Sequence, residues 1–230
     1  YPFFHAYILI SKTKASLCTS LKKIPDSLQR SLQEDGYELA EYDEIVQLLS
    51  GLEENTAIYL DPFKIPYLLY QSLSGSVTIK EGMDCINYLK SRKSSAEQKN
   101  IRTANIYECV AVARLMKYID DNAGKVPMNE YQIGQKLEEF RKISSLYLQP
   151  ANIPIVGFGE NAALPHYRPA KDTSSPIRAE GFLLFDVCAQ YLCGTTDLTR
   201  TVAVGHLTQE MKEDYTLTLK SHVALARQKF

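Results

Sequence analysis

What this 230-residue sequence lacks removes whole classes of function. Neither charge is in excess: 26 Lys and Arg stand against 27 Asp and Glu, a formal net charge of -1. A nucleic-acid or anionic-membrane surface needs a basic stripe, so neither partner is expected. No apolar run approaches the roughly 20 residues that span a bilayer. The opening YPFFHAYILI is apolar, but it is short, carries His5 and has no basic leader, so it does not read as a secretion signal. There is no glycine-rich phosphate loop, and no His-x-x-x-His or Glu-x-x-His pair. The five cysteines (Cys18, Cys85, Cys109, Cys188 and Cys193) are odd in number and scattered. That suits a reducing, cytoplasmic setting better than a disulfide framework. Cys188 and Cys193 are spaced more loosely than a zinc knuckle requires, and no second pair follows. Repeats and low-complexity tracts are also missing.

What is present falls into two parts. Up to about residue 92 the pattern alternates. Ala6–Ser11, Ala15–Thr19, Tyr37–Glu41, Thr56–Leu60 and Ser76–Lys80 read as strands. Pro25–Asp35, Asp43–Leu49 and, interrupted by Pro66, Pro62–Leu73 read as helices. Such alternation predicts an α/β layer domain. The polar stretch Ser91–Ser95 predicts a boundary, giving domains 1–92 and 93–230. Ser94 with Glu97 forms a capping-box pattern ahead of a long helix over Ala96–Asp121. Its expected inner row is Ile106, Val110, Ala113 and Lys117, with Cys109 and Met116 alongside. A second helix is expected over Asn129–Ile143, with Ile133, Leu137 and Phe140 inward. Strands over Ile153–Phe158, Phe182–Cys188 and Leu198–Val204 follow, then a helix capped by Thr208. The second part is therefore expected to be α+β.

Chemistry concentrates in LLFDVCAQYLCGTTDLTRT, Leu183 to Thr201. A buried apolar run ends in Asp186, and Asp197 follows a Gly-Thr-Thr turn. A hairpin centred near Tyr191–Leu192 would set the two aspartates opposite each other, with Cβ atoms about 5 Å apart. Two ionised carboxylates at that distance repel. Solvation, a shared proton or a cation between them would relieve the repulsion. Neither acid has the Gly-rich surroundings of an aspartic-peptidase dyad. Hard oxygen donors suit Mn, Mg or Zn, but two carboxylates cannot fill such a site. Further donors could come from His166, Glu160, Glu180, His206 or Glu210. As residues alone, these acids are equally compatible with two surface groups near a turn.

DVCAQYLCGTTDLTRTVAVG resembles the signature of Xaa-Pro aminopeptidase (aminopeptidase P), in the creatinase/prolidase pita-bread superfamily. GFGENAALPHYRPA is similar to the family's His-Tyr segment. Ser95–Met116 looks like the first helix of its catalytic domain, and Tyr1–Phe4 like the start of a strand in the preceding domain. The resemblance implies an α/β creatinase-like N-terminal domain followed by the first half of an α+β pita-bread domain. It implies a metallopeptidase that removes the first residue from peptides with proline second. Two divalent ions, manganese by preference with zinc or cobalt possible, would activate the attacking water. Asp186 and Asp197 match metal ligands, His166 a catalytic residue that binds substrate, and Thr199 a hydroxyl beside Asp197. Family members are commonly homodimeric and cytosolic.

Departures from the pattern are expectations of their own. Val187 and Cys188 replace Ser-Gly, Cys193 replaces an Asp, and Pro165 precedes His166. On a strand, Cys188 would share a face with Asp186. Both chain ends look cut. The family's remaining ligands, a histidine and two glutamates, match positions beyond Phe230, so these residues alone are expected to be inactive. Two other readings remain at this point: a prolidase restricted to dipeptides, and a peptidase-like module that has lost its metals and binds proteins.

Overall fold

In the computed structural model, residues 4–73 and 75–229 are described. They form two compact units, one up to Lys93 and one from Ser94 onward. No described helix is long and apolar enough to cross a membrane.

In the first unit, β1 (Ala6–Ile10) pairs antiparallel with β2 (Ala15–Thr19). Helix α1 (Asp26–Glu34) leads to β3 (Tyr37–Ala40), parallel to β2. After α2 (Glu44–Ser50) comes β4 (Ala57–Leu60), which pairs in parallel with β5 (Thr78–Glu81) as a separate two-stranded sheet. Cys18, Ile45, Leu49 and Leu69 form the small core. The helix expected from Pro62 is shorter: α3 covers Tyr67–Gln71, with Pro66 as its N-cap. A residue before proline is pushed out of the α region, so the helix cannot run through Ile65. An unexpected helix, α4 (Cys85–Ser91), is capped by the Asp84 carboxylate, which accepts from the amides of Ile86 and Asn87. Of the strand start expected at Tyr1–Phe4, Tyr1–Phe3 lie outside the described residues, and Phe4 and His5 precede β1.

The second unit opens with α5 (Ser95–Asn122). Its capping box is formed as the sequence predicts: Ser94 N donates to Glu97 Oε2 at 2.7 Å and Glu97 N to Ser94 Oγ at 3.2 Å. The inward face is not the expected one. Ala104, Glu108, Ala111, Val112, Leu115 and Ile119 are buried, while Ile106, Val110 and Met116 are exposed. The reason is Glu108, whose carboxylate is fully buried against Arg141. A charge in the inner row made the other row look more apolar. Helix α6 (Glu130–Arg141) has its own capping box, Asn129 with Gln132, and buries Ile133 and Leu137 as expected.

Beyond α6 lie β6 (Tyr147–Pro150), which the sequence reading did not anticipate, β7 (Ile155–Phe158), β8 (Phe182–Tyr191) and β9 (Gly194–Ala203). Strand β9 runs along all of β8, while β7 and β6 share its other edge, at Leu183–Asp186 and Ala189–Tyr191. Side chains alternate between the faces of a strand. Leu183, Phe185, Val187, Ala189 and Tyr191 are all fully buried. The first three join α5 and α6 in the main core. Phe182, Leu184, Asp186, Cys188 and Gln190 therefore project from the opposite face. The last helix, α7 (Gln209–Ala226), starts at the Thr208 cap as expected, and none of its residues is buried.

Candidate metal centre

The register of the β8–β9 hairpin sets the site. Tyr191 pairs with Gly194, so the turn is Leu192–Cys193, later than expected. Tyr191 cannot belong to the turn because it is fully buried and its hydroxyl donates to Glu108 Oε2 at 2.8 Å. The expected direct opposition of Asp186 and Asp197 is corrected accordingly: Asp186 faces Thr199, and Asp197 faces Cys188. The slip is an even one. Every side chain keeps its face, and the aspartates become diagonal neighbours.

Across that face Asp186, Cys188 and Asp197 each offer a donor atom, and these atoms lie within 4.8 Å of one another. Cys188 Sγ donates to Asp197 Oδ1 at 3.2 Å. Thr199 Oγ1 donates to Asp186 Oδ1 at 2.9 Å, so its hydroxyl serves Asp186 rather than the expected Asp197. Burial pushes the Cys188 thiol up to about 11, helped by the hydrogen bond to Asp197 and by both carboxylate charges; Asn152 acts in the other direction. The group thus keeps its proton beside the two carboxylates. A bound cation would invert that local preference. Two carboxylates and a thiol fit a divalent ion chemically, although three donors leave even one tetrahedral position open.

The other expected donors are elsewhere. Glu180 is ion-paired to Arg178 at 2.6 Å, and His206 bridges its backbone to Glu180. Glu160 and Glu210 are exposed. Cys193 sits at the turn against the Ala104–Ala189–Tyr191 cluster, so Cys188 and Cys193 do not form a zinc knuckle.

His166 lies in an exposed loop, outside the three-donor cluster. Two features govern that loop. Gly157 pairs with Leu184, and a Cβ there would meet the backbone of Asn161 and Ala162 at 2.8 Å. Only glycine lets the 3-10 turn Gly159–Ala163 fold down over the face that carries the acids. The second feature, Glu130, was missed by the sequence reading. It is fully buried at the first turn of α6. It accepts from Phe158 N at 2.7 Å, Ser175 N at 2.8 Å, Tyr167 Oη at 2.7 Å and Asn161 Nδ2 at 3.0 Å. Burial and the Glu130 carboxylate push Tyr167 up to about 12. The loop is thereby pinned on both sides of His166, which itself takes a left-handed φ of 58°. That region is uncommon for a residue with a Cβ.

Residues 99–230 match the family model described as metallopeptidase family M24. The chain belongs to metallopeptidase family M24. Ahead of the M24 segment, residues 1–97 match the creatinase/prolidase N-terminal domain. The probable Xaa-Pro aminopeptidase P of Sordaria macrospora is 29% identical over 235 residues, covering 97% of this M24 chain and 38% of that protein. The Verticillium alfalfae protein of the same description is 32% identical, with the same coverages. This M24 chain thus spans under two-fifths of the length of these curated relatives. Among solved structures, the X-prolyl aminopeptidase of Caenorhabditis elegans, described as a cytosolic enzyme with a di-nuclear active site, superposes with a TM-score of 0.90. It is 22% identical; the match covers 100% of this chain and 39% of that one. The Xaa-Pro dipeptidase of Bacillus anthracis gives 0.71 at 23% identity, covering 97% and 61%. These likenesses establish the fold: a creatinase-type N-terminal domain followed by the start of a pita-bread M24 domain.

Proposed function

We propose that the whole protein is a metal-dependent aminopeptidase that releases the first residue from peptides whose second residue is proline. The observation that carries this reading is the convergence of Asp186, Cys188 and Asp197 on the open face of the hairpin, within an M24 domain. When bound there, a pair of divalent ions, manganese foremost, would lower the pKa of a water and stabilise a developing oxyanion. The chain's own residues have separate tasks. Asp186 and Asp197 would hold the ions. The Thr199 hydroxyl fixes the Asp186 carboxylate in one orientation, as outer hydrogen bonds do for metal ligands generally. His166 binds the substrate and offers a hydrogen bond near the reacting carbonyl. Its left-handed backbone, held by the Glu130 network, supports that role, since strained conformations concentrate at functional positions.

The experiment is hydrolysis by the full-length protein supplied with manganese, using an Xaa-Pro-Xaa tripeptide and an Xaa-Pro dipeptide. The tripeptide should be cut before proline and the dipeptide poorly. Asp197→Ala should abolish turnover, and His166→Ala should lower kcat/KM about a hundredfold while leaving metal content unchanged. Preference for the dipeptide would make the protein a prolidase. Absence of both metal and turnover in the intact protein would make it a binding module. The 230 residues alone should not turn over either peptide, because three donors cannot hold two ions.

A further inference from the structure

We propose that the Cys188 thiolate is itself a ligand of this metal centre, and that its sulfur shifts the site's preference from manganese towards zinc or cobalt. The inference rests on the metal-site reading above and adds to it a donor that neither carboxylate can supply. The family pattern that the sequence resembles has glycine at this position and so offers no side chain there.

Three observations lead to it. First, Cys188 is directly opposite Asp197 and two residues along β8 from Asp186, so the three side chains leave the sheet on one side. Second, the spacing suits one ion. Zinc bonds of about 2.3 Å to sulfur and about 2.0 Å to oxygen, at the tetrahedral angle, separate the two donors by about 3.5 Å. The observed Sγ–Oδ1 distance is 3.2 Å, and Asp186 completes a triangle within 4.8 Å. Third, the thiol takes no part in apolar packing. Cys18 is fully buried in the N-terminal core, whereas Cys188 is partly buried and belongs to none of the apolar clusters among the described residues. Its hydrogen bond goes to a carboxylate that is itself a donor in the same triangle. Thiolate is a soft ligand. It selects zinc, and cobalt as zinc's spectroscopic surrogate, over manganese, which favours oxygen. On coordination the thiol proton passes to solvent and the sulfur lone pair forms the new bond.

The test uses the full-length protein, stripped of metal and titrated with cobalt(II). A near-ultraviolet sulfur-to-cobalt charge-transfer band should grow with the ion. Cys188→Ser and Cys188→Gly should both lose that band while still showing the visible bands of bound cobalt. In competition titrations their zinc-over-manganese affinity ratio should fall by about tenfold or more. Two variants guard against one that folds poorly. Cobalt bound by the wild-type protein without the band, or a band that survives in both variants, overturns the proposal and leaves the metal-site reading standing. Wild-type protein that takes up no more cobalt than Asp197→Ala overturns both.

Discussion

Replacing Thr199 by valine keeps the β-branched shape that suits a strand and removes only the hydroxyl that donates to Asp186 Oδ1. The carboxylate would then be free to rotate. Metal affinity in the full-length protein should fall about tenfold, with the melting temperature almost unchanged, because Thr199 is exposed. Calorimetric titration beside a thermal melt checks this, and equal affinity in the two proteins would remove Thr199 from the site. At this scale the closeness of the two acids was legible, because an apolar Leu-Leu-Phe run ending in aspartate is a conspicuous conflict. The partner of Thr199 was not, since it depends on where the turn closes. That turn carries no Asn-Gly or Asp-Gly marker, and Tyr191 is held in the strand by its burial and by Glu108, which receives its hydroxyl. Glu130 was illegible for a related reason. Asn129 and Gln132 mark a helix start, but nothing local announces donors that arrive from 28 to 45 residues downstream.

Helices α5 and α6 are joined by one fully buried ion pair. Arg141 donates to both oxygens of Glu108, and to Glu138 Oε1 at 2.8 Å. Tyr191 donates to Glu108 Oε2, and Tyr147 donates to Glu138, so the network also reaches β6 and β8. Burial alone would lower the Arg141 pKa, but the two carboxylates outweigh it and the guanidinium is held charged. Arg141→Met would strand the Glu108 carboxylate in an apolar setting and should destabilise the protein by about 3–5 kcal/mol. Adding Glu108→Gln should recover part of that loss, since the fully buried charge is then gone and only the partly exposed Glu138 has lost its cation. Denaturant titrations of both variants decide it; a double variant no more stable than Arg141→Met would contradict the account. The same pair explains why the inner face of α5 was misread. Periodicity counts glutamate as polar wherever it stands, and only the partner in α6, 33 residues away, reveals Glu108 as an interior residue.

For the molecule as a whole, the tyrosines bound to buried or partly buried acids set an alkaline limit. Tyr147 and Tyr191 are raised well above their ordinary value, first by burial and then by Glu138 and Glu108 respectively; Tyr167 rises beside Glu130. Each stays protonated in the folded state at a pH where the unfolded chain, with tyrosine near ~10, has begun to ionise. Their contribution to stability is therefore complete below about pH 10 and is lost progressively as pH rises above it. Melting temperatures between pH 9 and pH 11 should decline, and Tyr191→Phe should make the decline shallower; a parallel decline would exclude Tyr191 as a contributor. The broad architecture, with helices first and strands after in the second unit, was readable because it rests on local periodicity. In that unit, where expectation and structure differ at the inner face of α5 and at the β8–β9 turn, a long-range contact to Glu108 is responsible. The two-sidedness of β8 reaches further than its geometry. In a screen scoring every substitution once for abundance and once for activity, its odd-numbered residues, Leu183 to Tyr191, should register in abundance. The neighbouring even-numbered positions Asp186 and Cys188 should register in activity, so that a plot along this one strand would alternate between the two readouts residue by residue.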